Sequence, residues 1–162
     1  MCGIVGYVGM RSAQQVLLDG LEKLEYRGYD SAGVALTQRD GIRVVKSKGR
    51  LATLRSKLEE LSLPQSSCGI GHTRWATHGE PSDINSHPHT NGRVTIVHNG
   101  IIENYIELKE FLTEKGYTFT SQTDTEVVAC LLDYYYSERN PLRAITETLK
   151  ELKGSYALGI IF

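Results

Sequence analysis

At 162 residues, with 40% apolar and 23% charged residues, the chain is long enough for one domain with a buried core, and no apolar run approaches the ~18 residues of a membrane span. Its 18 Lys and Arg against 19 Asp and Glu leave a formal net charge of −1 without a dense basic cluster, so neither nucleic acid nor a membrane is an expected partner. Cys2, Cys68 and Cys130 are widely spaced with no C-x-x-C pair, which argues against a disulfide framework or zinc ribbon, and the start lacks the features of a signal peptide, so a cytoplasmic protein is expected.

The opening "MCGIVGYVG" places Cys2 directly before a strand-like run, Ile4–Val8. Ala13, Leu17, Leu21 and Leu24 recur at helical spacing, and this helix is expected to reach Tyr26, with Gly28 ending it in a left-handed conformation. Strands are expected at Ala32–Thr37 and Ile42–Lys48, then a helix on Leu51, Leu54, Leu58 and Leu61 closed by Pro64, then a strand at Gly69–Thr73. Val94–His98 reads as a strand leading into a third helix marked by Tyr105, Leu108, Phe111 and Leu112. Thr123-Asp124-Thr125-Glu126 has the form of a capping box, followed on one helix face by Val128, Leu131, Leu132 and Tyr135. Asn140 and Pro141 open a fifth helix with Leu142, Ile145, Leu149 and Leu152 as its stripe. The chain stops inside the strand-like run Tyr156–Phe162, which reads as a fragment cut from a longer protein. Cys68 and Cys130 read as small buried hydrophobes.

Residues 72–92, "HTRWATHGEPSDINSHPHTNG", show little periodicity, and long ordered loops in compact domains usually carry function. His78, His87 and His89 lie here, with His72 and His98 on the flanking strands. Two imidazoles at H-x-H spacing admit a metal, but no carboxylate or thiolate spacing completes a zinc tetrad, and hydrogen-bonded histidines that fix the loop are the better reading. Arg74 beside Trp75 is either a surface cation stacked on a ring or a planar fork for a small carboxylate. Asn99-Gly100 taken alone signals a type I′ hairpin. The residues after it pass into a helix and leave too little chain for a return strand, so an amide side chain beside a glycine N–H reads as a pair of donors for a developing oxyanion.

Cys2, "EYRGYDSAG", "GIGHTRWATHGEPSDINSHPH", "VHNGIIENY" and "SQTDTEV" together resemble the glutaminase half of the glutamine–fructose-6-phosphate aminotransferases, a family of class II glutamine amidotransferases, along the whole chain. The resemblance implies an α+β fold, a four-layer αββα sandwich of two antiparallel sheets of the N-terminal nucleophile hydrolase type, here truncated at the C-terminus. Residues 1–162 would be an incomplete type 2 amidotransferase domain. It further implies that Cys2, freed of Met1, attacks the side-chain amide of L-glutamine while its own α-amino group carries the proton. Asn99 and Gly100 would hold the oxyanion. Arg74 would hold the substrate carboxylate and Asp124 its ammonium, Trp75, Thr77, His78 and Gly79 would line or close the pocket, and Arg27 would order the terminus. No cofactor and no metal is implied. The implied partner is a sugar isomerase (synthase) domain in a longer chain, homo-oligomeric at full length. Alternatives are the glutaminase part of another class II enzyme resembling amidophosphoribosyltransferase, or a non-catalytic glutamine-binding module.

Overall fold

The computed structural model describes residues 2–76, 79–136 and 140–162. Strands β1 (Gly3–Val8), β2 (Ser31–Gln38), β3 (Gly41–Lys48) and β4 (Cys68–Arg74) form one antiparallel sheet in the order β1-β4-β2-β3. Strands β5 (His89–Asn91), β6 (Val94–Ile102) and β7 (Gly154–Ile161) form a second, in the order β5-β6-β7. Helices α1 (Ala13–Glu22) and α2 (Leu51–Leu61) cover the first sheet through Leu17, Leu21, Leu54 and Leu58, packed on Val34 and Leu36. Helices α3 (Tyr105–Glu114), α4 (Asp124–Tyr135) and α5 (Pro141–Glu151) cover the second through Leu108, Val128, Leu131 and Leu132, packed on Val94 and Ile96. Between the sheets lie Ala35, Ile70, Val97 and Ile161, with Ile4 against them. The layers are therefore helix, sheet, sheet, helix: the α+β sandwich of two antiparallel sheets.

Strand periodicity explains where the site forms. Side chains alternate faces along a strand, so Ile4, Ile70 and Val97 in the inter-sheet layer put Cys2, His72, Arg74 and Asn99 on that same layer by steps of two. The register Gly3↔Thr73, extended by one residue, sets Cys2 opposite Arg74. His98, on the other parity, faces α4 with Ile96.

Several elements differ from the sequence expectation. The first α-helix ends at Glu22, and Gly28, with φ of 74°, closes a separate 3-10 turn over Glu25–Arg27 instead. β5 arises within the stretch read as loop, paired to β6 from His89↔Ile96 to Asn91↔Val94. β6 continues through Asn99-Gly100 to Ile102, because β7 supplies its partner (Asn99↔Ala157, Gly100↔Tyr156) and the hairpin signal is overridden by tertiary pairing. On α5 the buried residues are Ala144 and Thr148, while Leu142 is 74% and Leu149 43% exposed; the i, i+4, i+8 line through Ala144, Thr148 and Leu152 packs, so the expected stripe is displaced around the helix. The capping box is half formed. Thr123 Oγ1 accepts the Glu126 N–H at 3.3 Å, but the Glu126 carboxylate reaches upstream to the N–H and hydroxyl groups of Thr120 and Ser121 rather than back to Thr123.

Candidate active site

Cys2 ends the inter-sheet layer immediately before β1. Its Sγ accepts the Trp75 backbone N–H at 3.2 Å, so the end of β4 fixes the sulfur. A cavity of about 430 Å³ opens beside it, within the usual range for small-molecule sites. Of the residues singled out from sequence, Cys2, Arg74, Trp75, Asn99, Gly100 and Asp124 line this cavity.

Arg74 is 3% exposed. Its Nη2 donates to the Gly79 carbonyl at 2.9 Å and its Nη1 lies 3.7 Å from Asp30 Oδ1. Asp30 also accepts the Ala76 N–H and the Ser31 hydroxyl. One carboxylate thus braces both the guanidinium and the backbone beyond it. Trp75 stands half out at 55% exposure, its ring over Gly28, where an added Cβ would meet Cζ3 at 3.0 Å. The ring forms a rim and its backbone touches the sulfur.

Asn99 bridges the two sheets: its Oδ1 is 2.7 Å from His72 Nε2 and its Nδ2 donates to the Cys2 carbonyl at 3.4 Å. Gly100 follows with φ of 125°, and a Cβ there would lie 2.1 Å from the Ser155 carbonyl, so only glycine fits this place. Asp124 opens α4; its Oδ2 accepts the Ile102 N–H at 3.0 Å, which ties the helix start to the end of β6.

Four histidines pack together at the cavity, and two of them, His87 and His98, line it. The His72 and His87 rings stack with centroids 4.2 Å apart, and His89 meets His87 edge-on at 5.0 Å. His87 Nδ1 accepts the His98 backbone N–H at 3.3 Å, so the neutral ring carries its proton on Nε2 and donates it to Thr125 Oγ1 at 3.1 Å. Thr125 Oγ1 lies 3.0 Å from His98 Nδ1 in turn. His89 Nε2 meets Thr123 Oγ1 at 3.1 Å. Burial pushes the His72 pKa down to about 4 and those of His87 and His89 well below the usual value, with the neighbouring rings and Arg74 adding to the effect. Among the described residues no group of three or more His, Cys, Asp or Glu is arranged to hold a metal; His87, His89 and His98 bond to threonines and backbone, and His72 to Asn99.

The remaining site expectations fall elsewhere. Gly79 touches Arg74 through its carbonyl but does not line the cavity. Arg27 is exposed, its Nε donating to the Tyr26 hydroxyl at 3.1 Å and its guanidinium over that ring, also outside the cavity lining. Thr77 and His78 lie outside the described residues.

A family model described as a glutamine amidotransferase domain matches residues 72–162, more than half of the chain. The chain belongs to this family. A Clostridium tetani protein named glutamine–fructose-6-phosphate aminotransferase (isomerizing) is 58% identical to 99% of this amidotransferase chain, and its namesake from Thermus thermophilus is 56% identical to 98% of it. The chain spans 26% of the length of these curated relatives. The solved structure of Bacillus subtilis glutamine phosphoribosylpyrophosphate amidotransferase with ADP and GMP superposes with a TM-score of 0.83 at 30% identity, covering 99% of this chain and 35% of that one. The amidotransferase domain so identified has the two-sheet sandwich of that structure. Among the described residues, no helix is long and apolar enough to cross a membrane.

Asp30, His72, His98 and Thr125 escaped the sequence reading as site residues. Asp30 lies in "YRGYDSAG" and had no visible partner until β2 and β4 paired. His72 could have been found by strand parity from Ile70 and Thr125 by the hydroxyl one residue after Asp124, whereas His98 lies on the other parity and gave no such signal.

Proposed function

We propose that the domain hydrolyses the side-chain amide of L-glutamine, with Cys2 as nucleophile. After removal of Met1, Cys2 Sγ attacks the amide carbon and forms a C–S bond. The α-amino group of Cys2 receives the thiol proton and delivers it to the departing nitrogen, so the C–N bond breaks and ammonia leaves. Water then attacks the γ-glutamyl thioester; the C–S bond breaks, glutamate departs and the thiol is restored. Asn99 Nδ2 and the Gly100 N–H hold the tetrahedral oxyanion, Arg74 the substrate α-carboxylate, and Asp124 the α-ammonium. The observation that carries the reading is the convergence of Cys2, Arg74, Asn99 and Asp124 on one cavity, from four separate elements. Trp75 forms the rim, and the Gly79 carbonyl helps to hold Arg74.

Identities of 56–58% to aminotransferases, against 30% to the phosphoribosylpyrophosphate enzyme, favour ammonia delivery to fructose 6-phosphate, giving glucosamine 6-phosphate, in a cytoplasmic chain that also carries a sugar isomerase domain. The test combines intact mass with two assays. A sample lacking Met1 should release glutamate from glutamine, and a thiol-directed glutamine analogue should add to Cys2. A trimmed, folded sample that binds glutamine without releasing glutamate would instead be a binding module, and an adduct on Cys68 or Cys130 would overturn the choice of nucleophile.

A further inference from the structure

We propose that His72 is a positioning residue for Asn99, holding the amide with its nitrogen, and not its oxygen, toward the reacting carbon. The inference rests on the glutaminase reading above. An asparagine amide has two faces of opposite chemistry: the NH₂ donates and the oxygen only accepts. An oxyanion donor is useful in one orientation alone, and a flipped Asn99 would present a lone pair to a developing negative charge.

Two contacts decide the orientation. The Cys2 carbonyl, 3.4 Å from Asn99 Nδ2, accepts and cannot donate. On the other side, His72 Nε2 lies 2.7 Å from Asn99 Oδ1, so this nitrogen must carry a proton. Were the proton absent from Nε2, the better hydrogen bond would come from turning the amide over. His72 is itself firmly held. It is fully buried on β4, and its ring stacks at 4.2 Å on His87, which is pinned by the His98 N–H and Thr125. The chain of support runs from α4 through His87 and His72 to Asn99, which alone of these touches the cysteine, through its backbone carbonyl. Burial disfavours the charged ring, so the holder acts as a neutral donor.

The experiment uses the intact chain with Met1 removed. In shape, a glutamine amide nitrogen reaches the place of His Nε2, whereas an asparagine amide reaches only that of Nδ1. His72→Gln should keep kcat for glutamate release within about threefold of wild type, and His72→Asn should lower it by about 10- to 100-fold with KM changed little, as expected for a donor displaced by an ångström or less. In an Asn99→Ala background His72→Asn should cost nothing further, and ¹⁵N spectra of the unsubstituted protein should show His72 neutral with its proton on Nε2. Equal loss in the Gln and Asn variants, full additivity with Asn99→Ala, or a proton on Nδ1 overturns the inference while leaving the glutaminase reading intact. If His72→Asn does not fold, the Gln variant decides alone: near-normal kcat supports the role, and a loss as large as that of Asn99→Ala overturns it. A folded, trimmed wild type that releases no glutamate overturns the parent reading and this one with it.

Discussion

The Arg74 guanidinium is braced by Asp30, whose Oδ1 lies 3.7 Å from Nη1 while the same carboxylate accepts the Ala76 N–H. A fork held this way presents a fixed plane to a carboxylate, which a lysine ammonium cannot copy. Arg74→Lys should therefore raise KM for glutamine about tenfold or more with a smaller effect on kcat, because one bidentate pair becomes a single contact. Asp30→Asn keeps the shape but removes the charge, and should raise KM less while lowering stability by about 1–3 kcal/mol, since it leaves a buried cation poorly paired. Steady-state glutamate release and urea unfolding check both variants. An unchanged KM in Arg74→Lys would remove Arg74 from the carboxylate site.

Cys130 should stay unmodified when the native protein is treated with iodoacetamide. Its thiol is buried on α4 and accepts from Asn91 Nδ2 at 3.1 Å, and burial, with Glu126 and Asp133 nearby, pushes its pKa up to about 12. At pH 8 the reactive thiolate is then on the order of one part in 10⁴. Peptide mapping after labelling should find Cys130 alkylated only in denaturant, and native labelling of Cys130 as fast as that of Cys2 would contradict its burial.

Much of the site was legible because two regularities act at short range. Helical spacing placed α1 through α4, and the Thr123 cap of α4 was read directly, although Gly28 closes a separate turn and not α1. What failed were features whose cause lies far along the chain. Nothing local to Asn99-Gly100 shows that β7, more than fifty residues later, will pair with it and suppress a turn. Nothing local to His89 shows that β6 will recruit it into a three-residue strand. On α5 the apolar residues at Leu142 and Leu149 were the louder signal, yet small Ala144 and Thr148 let the helix approach α4 closely, so fit outweighed hydrophobicity. Strand parity was the available signal left unused: counting by twos from Cys2, Ile70 and Val97 puts His72 and Asn99 face to face.

The histidine cluster should make the fold acid-labile, and the sign follows from the direction of its shifts. In the unfolded chain each ring titrates near 6.5. Above that pH neither state binds the proton, and these rings contribute no pH dependence. Below it the unfolded chain takes up protons that the native core refuses, so stability falls as pH drops from about 6.5 toward the native value, which for His72 is about 4. His72 alone accounts for on the order of 3 kcal/mol across that window, and His87 and His89 act in the same direction. Urea midpoints measured at half-unit steps should fall steadily between about pH 6.5 and 4.5, and His72→Gln should flatten the slope. A stability independent of pH over that range would show that these rings are not held neutral by the fold.

Gly33 should tolerate no side chain, for a reason that links β2 to the same cluster. A Cβ there would lie 2.1 Å from the His87 carbonyl and 3.0 Å from that of Val45, and neither is the movable tip of a side chain. Gly33→Ala must therefore push the segment carrying His87 away from β2, loosening its stack on His72 and its bonds to Thr125 and His98. The expected cost is about 1–3 kcal/mol in stability, the usual range for overpacking, together with a loss of kcat if Asn99 is steered through His72. Gly6→Ala is the matched control, since its Cβ would find only Ile70 Cγ2 at 4.0 Å and should shift stability by no more than about 0.5 kcal/mol. Thermal unfolding and glutamate release measured on both variants separate a general intolerance of side chains in the first sheet from a specific demand at the place where His87 passes over it.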